Sequence, residues 1–447
     1  MRDREAAEPP GFGGVLYRLL RTVTDIRPVE MRAVAWAWLY IVSILSSYYI
    51  MRPIRDEMGI ASGLENLPWL FTATLVGMVL LNIPFAALVR ALPRSRFIPI
   101  TYRFFALNIL LFAVALYVVD PGQRIWVGRV FFVWLSIFNL FVISIFWATV
   151  VDVFSSEQGK RLFGFIAAGA TVGAIAGSGL TAALARHVSP VALLAAAALL
   201  LEVAVFSVGH LSRLSANLRA VPAARAGERP IGGSVLAGIT HALRSPYLLN
   251  VSLFLLLYAV TSTLLYFQQA GIVSQSFQDR GAQTAFFATV DLTVNILTLL
   301  VQLFLTGRIL RVLGVGLALA LLPALSVVGF GALALLPTLT SVVAFQVLRR
   351  ASNFAIARPS REVLFTVVPR EDRYKAKSFI DTVVYRAGDQ VGAWISPLLA
   401  GWVASTAVLA IPISLLWLVN SLWLGRRQEI LAAEQEAAQA APASAVP

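Results

Sequence analysis

The sequence predicts an all-α polytopic membrane protein, with twelve transmembrane helices in two six-helix, pseudo-symmetric halves. Three observations lead there. Hydrophobic residues make up 58% of the 447 positions and charged residues 13%, where soluble domains run nearer ~45–50% and ~25%. Twelve apolar runs recur, each near the ~20 residues that a helix needs to cross hydrocarbon. They fall at 32–51, 67–90, 97–119, 125–152, 161–185, 190–210, 246–273, 282–307, 311–336, 338–365, 376–402 and 405–424. Finally, lysine and arginine favour alternate loops, with 24 on the side of the N-terminus, six on the other side and six within the runs. Short loops rich in Lys and Arg stay cytoplasmic. The expectation is a multi-pass chain of the bacterial cytoplasmic (inner) membrane with both termini cytoplasmic. An odd number of spans would destroy that asymmetry.

Composition also excludes. The net charge of +13 would fit a nucleic-acid binder, but the basic residues sit in short loops between apolar runs, so the expected partner is the lipid bilayer and no nucleic acid. The chain has no cysteine, which removes disulfides, thiolate chemistry and Cys-ligated metal. His187, His210 and His241 lie at helix ends or in the linker, without metal spacing. No nucleophile–base constellation, nucleotide-hydrolysing motif or phosphate-cradling loop is present. The expectation is no enzyme, no metal and no cofactor.

In chain order, residues 1–31 read as a cytoplasmic segment, with Val15–Arg27 forming an amphipathic interfacial helix. Residues 32–211 are the N-terminal six-helix half and 212–245 a Pro- and Arg-containing cytoplasmic linker. Residues 246–425 are the C-terminal half, and 426–447 a cytoplasmic tail that begins helical. The first span ends in SSYYIMRPIRDEMG, where Pro53 and Gly59 are expected to break the helix beside Arg52, Arg55, Asp56 and Glu57. The third span carries Arg103 near its start. The fourth ends at Asp152, which is expected to pair with Lys160 or Arg161 as a gate, to bind a coupling proton, or to be a solvated helix end. The fifth carries Gly169, Gly173 and Gly177, a four-residue repeat that lets backbones approach closely. The eighth has a single acid, Asp291, near mid-bilayer.

The charge is densest from 345 to 395. The tenth span carries Arg349, Arg350, Arg358, Arg361 and Glu362. The eleventh carries Asp381, Arg386 and Asp389, with Lys375 in the loop before it. Charges at bilayer depth cost at least ~2.5–3.5 kcal/mol each, and usually face a bundle interior or a wet path. Arg52, Arg55, Arg349, Arg350, Arg358, Arg361 and Arg386 are therefore the candidate substrate-binding cations. Asp56, Asp152, Lys160, Arg161, Asp291, Glu362, Lys375, Asp381 and Asp389 are candidates for gating or proton coupling. Asp291 is expected either to carry a proton or to meet an arginine of the tenth or eleventh helix. Snorkelling at helix ends and internal pairing, such as Arg55 with Asp56, remain the bland alternatives.

The halves read as a parallel duplication. A shift of 214 positions superposes Asn139 on Asn353, Val153 on Val367, Glu157 on Glu371, Phe165 on Phe379 and Ile166 on Ile380. The three lysines, Lys160, Lys375 and Lys377, lie in the two loops so aligned. Six plus six helices around a long central loop is the plan of the major facilitator superfamily.

Within it, the residues resemble the nucleotide transporters known as ATP/ADP translocases. Pro359-Ser360-Arg361-Glu362 is similar to that family's Pro-Thr-Lys-Glu segment. Lys375, Lys377, Ile380-Asp381-Thr382-Val383, Arg386, Gly388 and Gly392-Ala393-Trp394-Ile395 follow the family's next block. Arg52 with Arg55-Asp56, Phe146-Trp147 with Asp152, and Lys160-Arg161 resemble its first-half features. There are departures. Arg55 and Arg361 stand where the family has lysine, Asp152 where it has glutamate, Arg358 where it has an acid and Asp389 where it has a lysine. The resemblance implies a secondary active transporter working by alternating access, exchanging or importing a small anionic metabolite such as ATP, ADP or another organic phosphate. It acts as a monomer in this reading. The competing expectations are a facilitator of an unrelated solute and a non-transporting membrane assembly partner.

Overall fold

The computed structural model describes residues 26–154, 156–218, 245–368, 376–377, 379–399 and 406–440, and the regular structure among them is helical throughout. The helices are α1 (Met31–Ala61), α2 (Leu67–Ala91), α3 (Arg94–Val118), α4 (Pro121–Val153), α5 (Ser156–Leu184), α6 (Pro190–Leu218), α7 (Pro246–Ser276), α8 (Arg280–Phe304) and α9 (Thr306–Leu335). Next, α10 joins Leu339–Ser352, a π-turn at Asn353–Ala357 and Arg358–Leu364. In α11 a π-turn at Ile380–Val384 leads into Tyr385–Leu399, and α12 is Thr406–Ala440. Ten of these helices are long and apolar enough to cross a membrane. The other two, α10 and α11, hold the π-turns and most of the intramembrane charge. The expected interfacial helix at Val15–Arg27 lies outside the described residues except for its last two positions. So do 219–244 of the expected linker, Lys375 and the side chain of Lys160.

By contacts the chain forms two compact units, and each includes a short piece from the other end of the sequence. Unit 1 is Met1–Ser62, Ala73–Glu228 and Asp279–Leu292. Unit 2 is Gly63–Thr72, Arg229–Gln278 and Thr293–Pro447. In unit 1, α4, α5 and α6 pack on α1, and α3 packs on α6. Buried along most of its length, α1 takes that central place. In unit 2, α10, α11 and α12 pack on α7, and α9 packs on α12. The packing order within the two units is the same.

One contact shows the repetition at atomic level. A methyl added at Gly173 would lie 2.6 Å from the Val42 carbonyl oxygen, and one at Gly177 2.4 Å from that of Ser46. In unit 2, a methyl at Gly388 or Gly392 would lie 2.8 Å from the carbonyl oxygens of Leu256 and Val260. Leu256 and Val260 stand 214 positions after Val42 and Ser46, and the glycine pair is offset by 215. Both units therefore use glycine to bring one helix backbone onto another. Ser46 Oγ also donates to the Gly173 carbonyl at 3.1 Å.

Two local expectations need correction. First, α1 runs unbroken through Pro53 and Gly59 to Ala61. A proline removes one backbone donor, and in a packed transmembrane helix neighbouring groups can compensate for the loss. Second, the tenth span is not one regular helix. Pro359 cannot donate to the carbonyls behind it, which leaves the Phe354 and Ala355 oxygens open in the π-turn. Gln302 Nε2 donates to the first at 3.3 Å and Thr306 Oγ1 to the second at 2.8 Å.

Two further helices depart from simple spans. Gly314 has φ +71° inside α9 and breaks it after two turns. Beyond the break, Gly316 lies against Gly425 of α12 with nothing between the backbones. The expected final span ends at 424, but α12 continues as helix to Ala440. Its extension is tied down where Leu431 and Ala432 pack on the cluster containing Tyr247, Phe365, Val367 and Val368. There Gln435 Nε2 also donates to the Val367 carbonyl at 3.0 Å.

Candidate functional site

In unit 1 the charges gather where α1 ends. Arg52 Nη1 lies 3.3 Å from Asp291 Oδ1, and the acid is buried. The sequence looked for the partner of Asp291 on the tenth or eleventh helix, whereas the ion pair shown is to α1, 239 positions earlier. Arg55 grips Asp56 Oδ1 through Nε at 3.0 Å and Nη2 at 2.6 Å, and its guanidinium lies over the Phe132 ring. The internal-pairing alternative therefore holds for Arg55. Glu57 is buried and accepts from Arg280 Nε at 2.5 Å and Nη2 at 3.3 Å. That pair borders a cavity of about 470 Å³, also lined by Arg124, Tyr117 and Thr284.

At the other end of α1, Arg161 donates to both oxygens of Glu30, which also accepts from Gln158 Nε2. Sequence reasoning missed Glu30. Its only signal was an acid just before the first apolar run. Asp152, expected opposite Arg161, is half-buried at the end of α4.

In unit 2 the site is built on α10 and α11. Arg349 is 2% exposed. Its Nε donates to Ser326 Oγ at 3.1 Å, Nη1 to Ser262 Oγ at 2.9 Å, and Nη2 to Thr261 Oγ1 at 2.8 Å and the Tyr258 carbonyl at 3.3 Å. The rings of Tyr258 and Trp417 flank its guanidinium. Among the described residues no carboxylate lies within salt-bridge distance. Hydroxyls, a carbonyl and two π faces offset the desolvation of this cation, but nothing there cancels its charge. Arg349 faces packed protein and is not itself a lining group. Arg350, beside it, is half-buried.

Beyond the π-turn, Arg358 is exposed and stacks on the Phe354 ring. Arg361 Nη2 reaches Asp381 Oδ1 at 3.3 Å, while its buried Nε has no hydrogen-bond partner. Lys377 pairs with Glu362 and lies near the Phe365 ring. Arg386 Nη1 meets Asp389 Oδ2 at 3.0 Å, and the other oxygen of Asp389 accepts from Thr263 Oγ1 at 3.4 Å. Two of the family departures thus have structural consequences. Asp389 neutralises Arg386 one turn away, and Arg358 adds a cation with no carboxylate partner among the described residues.

The described residues of 339–399 therefore hold six cations (Arg349, Arg350, Arg358, Arg361, Lys377, Arg386) against three acids (Glu362, Asp381, Asp389). An excess of cations attracts anions, and guanidinium groups bind phosphate or carboxylate bidentately. Among the described residues no group of three or more His, Cys, Asp or Glu could hold a metal.

No family model matches the chain. It is 25% identical over 235 residues to ADP,ATP carrier protein 1 of Chlamydia muridarum, covering 46% of this chain and 44% of that relative. It is 22% identical over 514 aligned positions to ADP,ATP carrier protein 1 of Chlamydia trachomatis serovar D, covering 98% and 96%. It thus spans less than half the length of the first relative and nearly all of the second. A solved bacterial homologue of the iron transporter ferroportin superposes with TM-score 0.59 at 11% identity, over 89% of this chain and 98% of that one. The nucleoside transporter NupG superposes with TM-score 0.52 at 14% identity, over 90% and 98%. The chain is similar in sequence to these ADP,ATP carriers and shares the fold of these solved transporters. Those relatives and structural neighbours are carriers and transporters, and this chain is a multi-pass membrane protein.

Proposed function

We propose that the chain is a secondary active transporter of an anionic metabolite in the nucleotide or organic-phosphate class, acting by alternating access in the bacterial cytoplasmic membrane with both termini cytoplasmic. The observation that carries this reading is the excess of cations over acids among the described residues of α10, α11 and the loop between them. Buried Arg349, which no described carboxylate neutralises, raises the potential there. In this reading exposed Arg358 and half-buried Arg350 are the groups that touch substrate. Arg361 holds Asp381 by one long contact and keeps a buried Nε unpartnered, so a phosphate oxygen can replace the acid without leaving the guanidinium bare. Asp381, Asp389 and Glu362 then act as exchange partners that neutralise the cations between substrates. The ADP,ATP carriers similar to this chain support the nucleotide class.

Four of the seven candidate arginines are already paired with carboxylates: Arg52, Arg55, Arg361 and Arg386. That favours, as a second reading, a facilitator of an unrelated solute in which these pairs are structural. Counterflow in proteoliposomes separates the two. Vesicles loaded with ADP should accumulate external labelled ATP or ADP, and Arg358→Gln should weaken uptake several-fold while leaving thermal stability intact. Uptake of neutral solutes with no response to ATP, ADP or other organic phosphates would overturn the proposal.

A further inference from the structure

We propose an anionic-phospholipid headgroup site where α9 and α12 cross, separate from the substrate face. Four exposed arginines meet there. Arg308 and Arg311 stand on the first two turns of α9, ahead of the Gly314 break, and Arg426 and Arg427 follow directly on Gly425 of α12. The close approach of Gly316 to Gly425 fixes the register between the two helices. Residues 308–311 precede that crossing on α9, while 426–427 follow it on α12. Because the helices run in opposite directions through the membrane, both pairs emerge at the same end. Along the chain, all four lie within eight positions of the two crossing glycines.

Three features separate this cluster from the ordinary basic fringe of a membrane protein. None of the four arginines meets a carboxylate among the described residues. The acid nearest the break, Glu429, has its Oε1 3.7 Å from where a methyl on Gly314 would stand, against the α9 backbone. The positive φ of Gly314 sets the first two turns apart from the rest of α9, and only glycine takes that conformation cheaply. Those turns carry apolar side chains that protein does not cover. On those turns Val312 is 80% exposed and Leu313 is exposed too, and just ahead of them Leu303 (67%) and Leu305 are likewise uncovered. An amphipathic turn with arginines beside bare aliphatic side chains matches a phospholipid, whose phosphate takes the guanidinium groups while its acyl chains cover the leucines and valine. Free phosphate would satisfy only the first half of that surface. The side in question carries most of the lysine and arginine, so the lipid comes from the leaflet expected to be cytoplasmic.

The test uses the full chain, purified and reconstituted in nanodiscs of phosphatidylcholine, with or without 20 to 30 mol% (roughly a quarter) phosphatidylglycerol. Midpoints of thermal unfolding are compared for the native protein, for the variant Arg308→Gln/Arg311→Gln/Arg426→Gln/Arg427→Gln, and for Arg213→Gln as a charge control on the same side. Phosphatidylglycerol should raise the midpoint of the native and control proteins by several degrees, and that of the quadruple variant by less than half as much. Native mass spectrometry should find phosphatidylglycerol retained by the first two only. Inorganic phosphate added to phosphatidylcholine discs should not reproduce the shift. An equal response in all three proteins, or full replacement of the lipid by phosphate, overturns the assignment. Should the quadruple variant fail to fold, Arg308→Gln/Arg311→Gln decides, with half the lipid effect expected and an unchanged effect contrary to the proposal.

Discussion

Replacing Gly177 by alanine tests the α1–α5 crossing in quantitative terms. The new methyl would stand 2.4 Å from the Ser46 carbonyl oxygen and 2.9 Å from its Cα. Ordinary contact begins near 3.4 Å, so α5 must retreat by about 1 Å. Both obstructing atoms are backbone of the central helix and cannot rotate away. Retreat also lengthens the 3.1 Å bond from Ser46 Oγ to the Gly173 carbonyl. Overpacking costs ~1–3 kcal/mol and a weakened hydrogen bond up to ~1. Alanine regains up to ~1 kcal/mol in helix propensity, which leaves a net loss of about 1–3 kcal/mol. Gly164, on the same helix, has nothing within 4 Å of an added methyl, so Gly164→Ala should be neutral or slightly stabilising. Reversible unfolding of the purified variants in mixed micelles gives the comparison. If Gly177→Ala proves as stable as Gly164→Ala, the close-approach argument fails, and with it the equivalent claim for Gly392.

Other expectations follow from buried polar groups. Asp291→Asn takes the described carboxylate from Arg52; breaking one side of a buried pair costs up to ~3–5 kcal/mol, and less here because Arg52 is 20% exposed. The double change Arg52→Gln/Asp291→Asn should recover most of the loss in thermal midpoint, and no recovery would mean the two residues act independently. Thr306→Val leaves the Ala355 carbonyl without its side-chain donor and should cost ~1–3 kcal/mol, whereas Thr306→Ser keeps the hydroxyl and should not. Leu431→Ala should loosen the α12 extension from the end of α10 by ~1–2 kcal/mol, read as faster proteolysis beyond Arg427 with the membrane core intact.

The number, order and approximate limits of the membrane helices were legible because a bilayer imposes a length and a polarity on every segment that crosses it. Those requirements are local and one-dimensional. The glycine repeat of α5 was equally legible, since a four-residue period of missing side chains has few other uses. Its counterpart at Gly388 and Gly392 went unread as packing, because it was taken with the charged family motif around it. The charged residues were visible, but their partners were not. Asp291 meets Arg52 and Glu57 meets Arg280 across more than 200 positions, and no periodicity encodes which face of one helix is turned to another. Likewise, Pro53 leaves α1 continuous while Pro359 goes with a π-turn. That outcome rests on the side chains at hand to take up orphaned carbonyls, as Gln302 and Thr306 do in α10. The solvent fixes where a helix must lie, and this was written in the sequence. Which polar groups find each other depends on distances that only the assembled bundle sets.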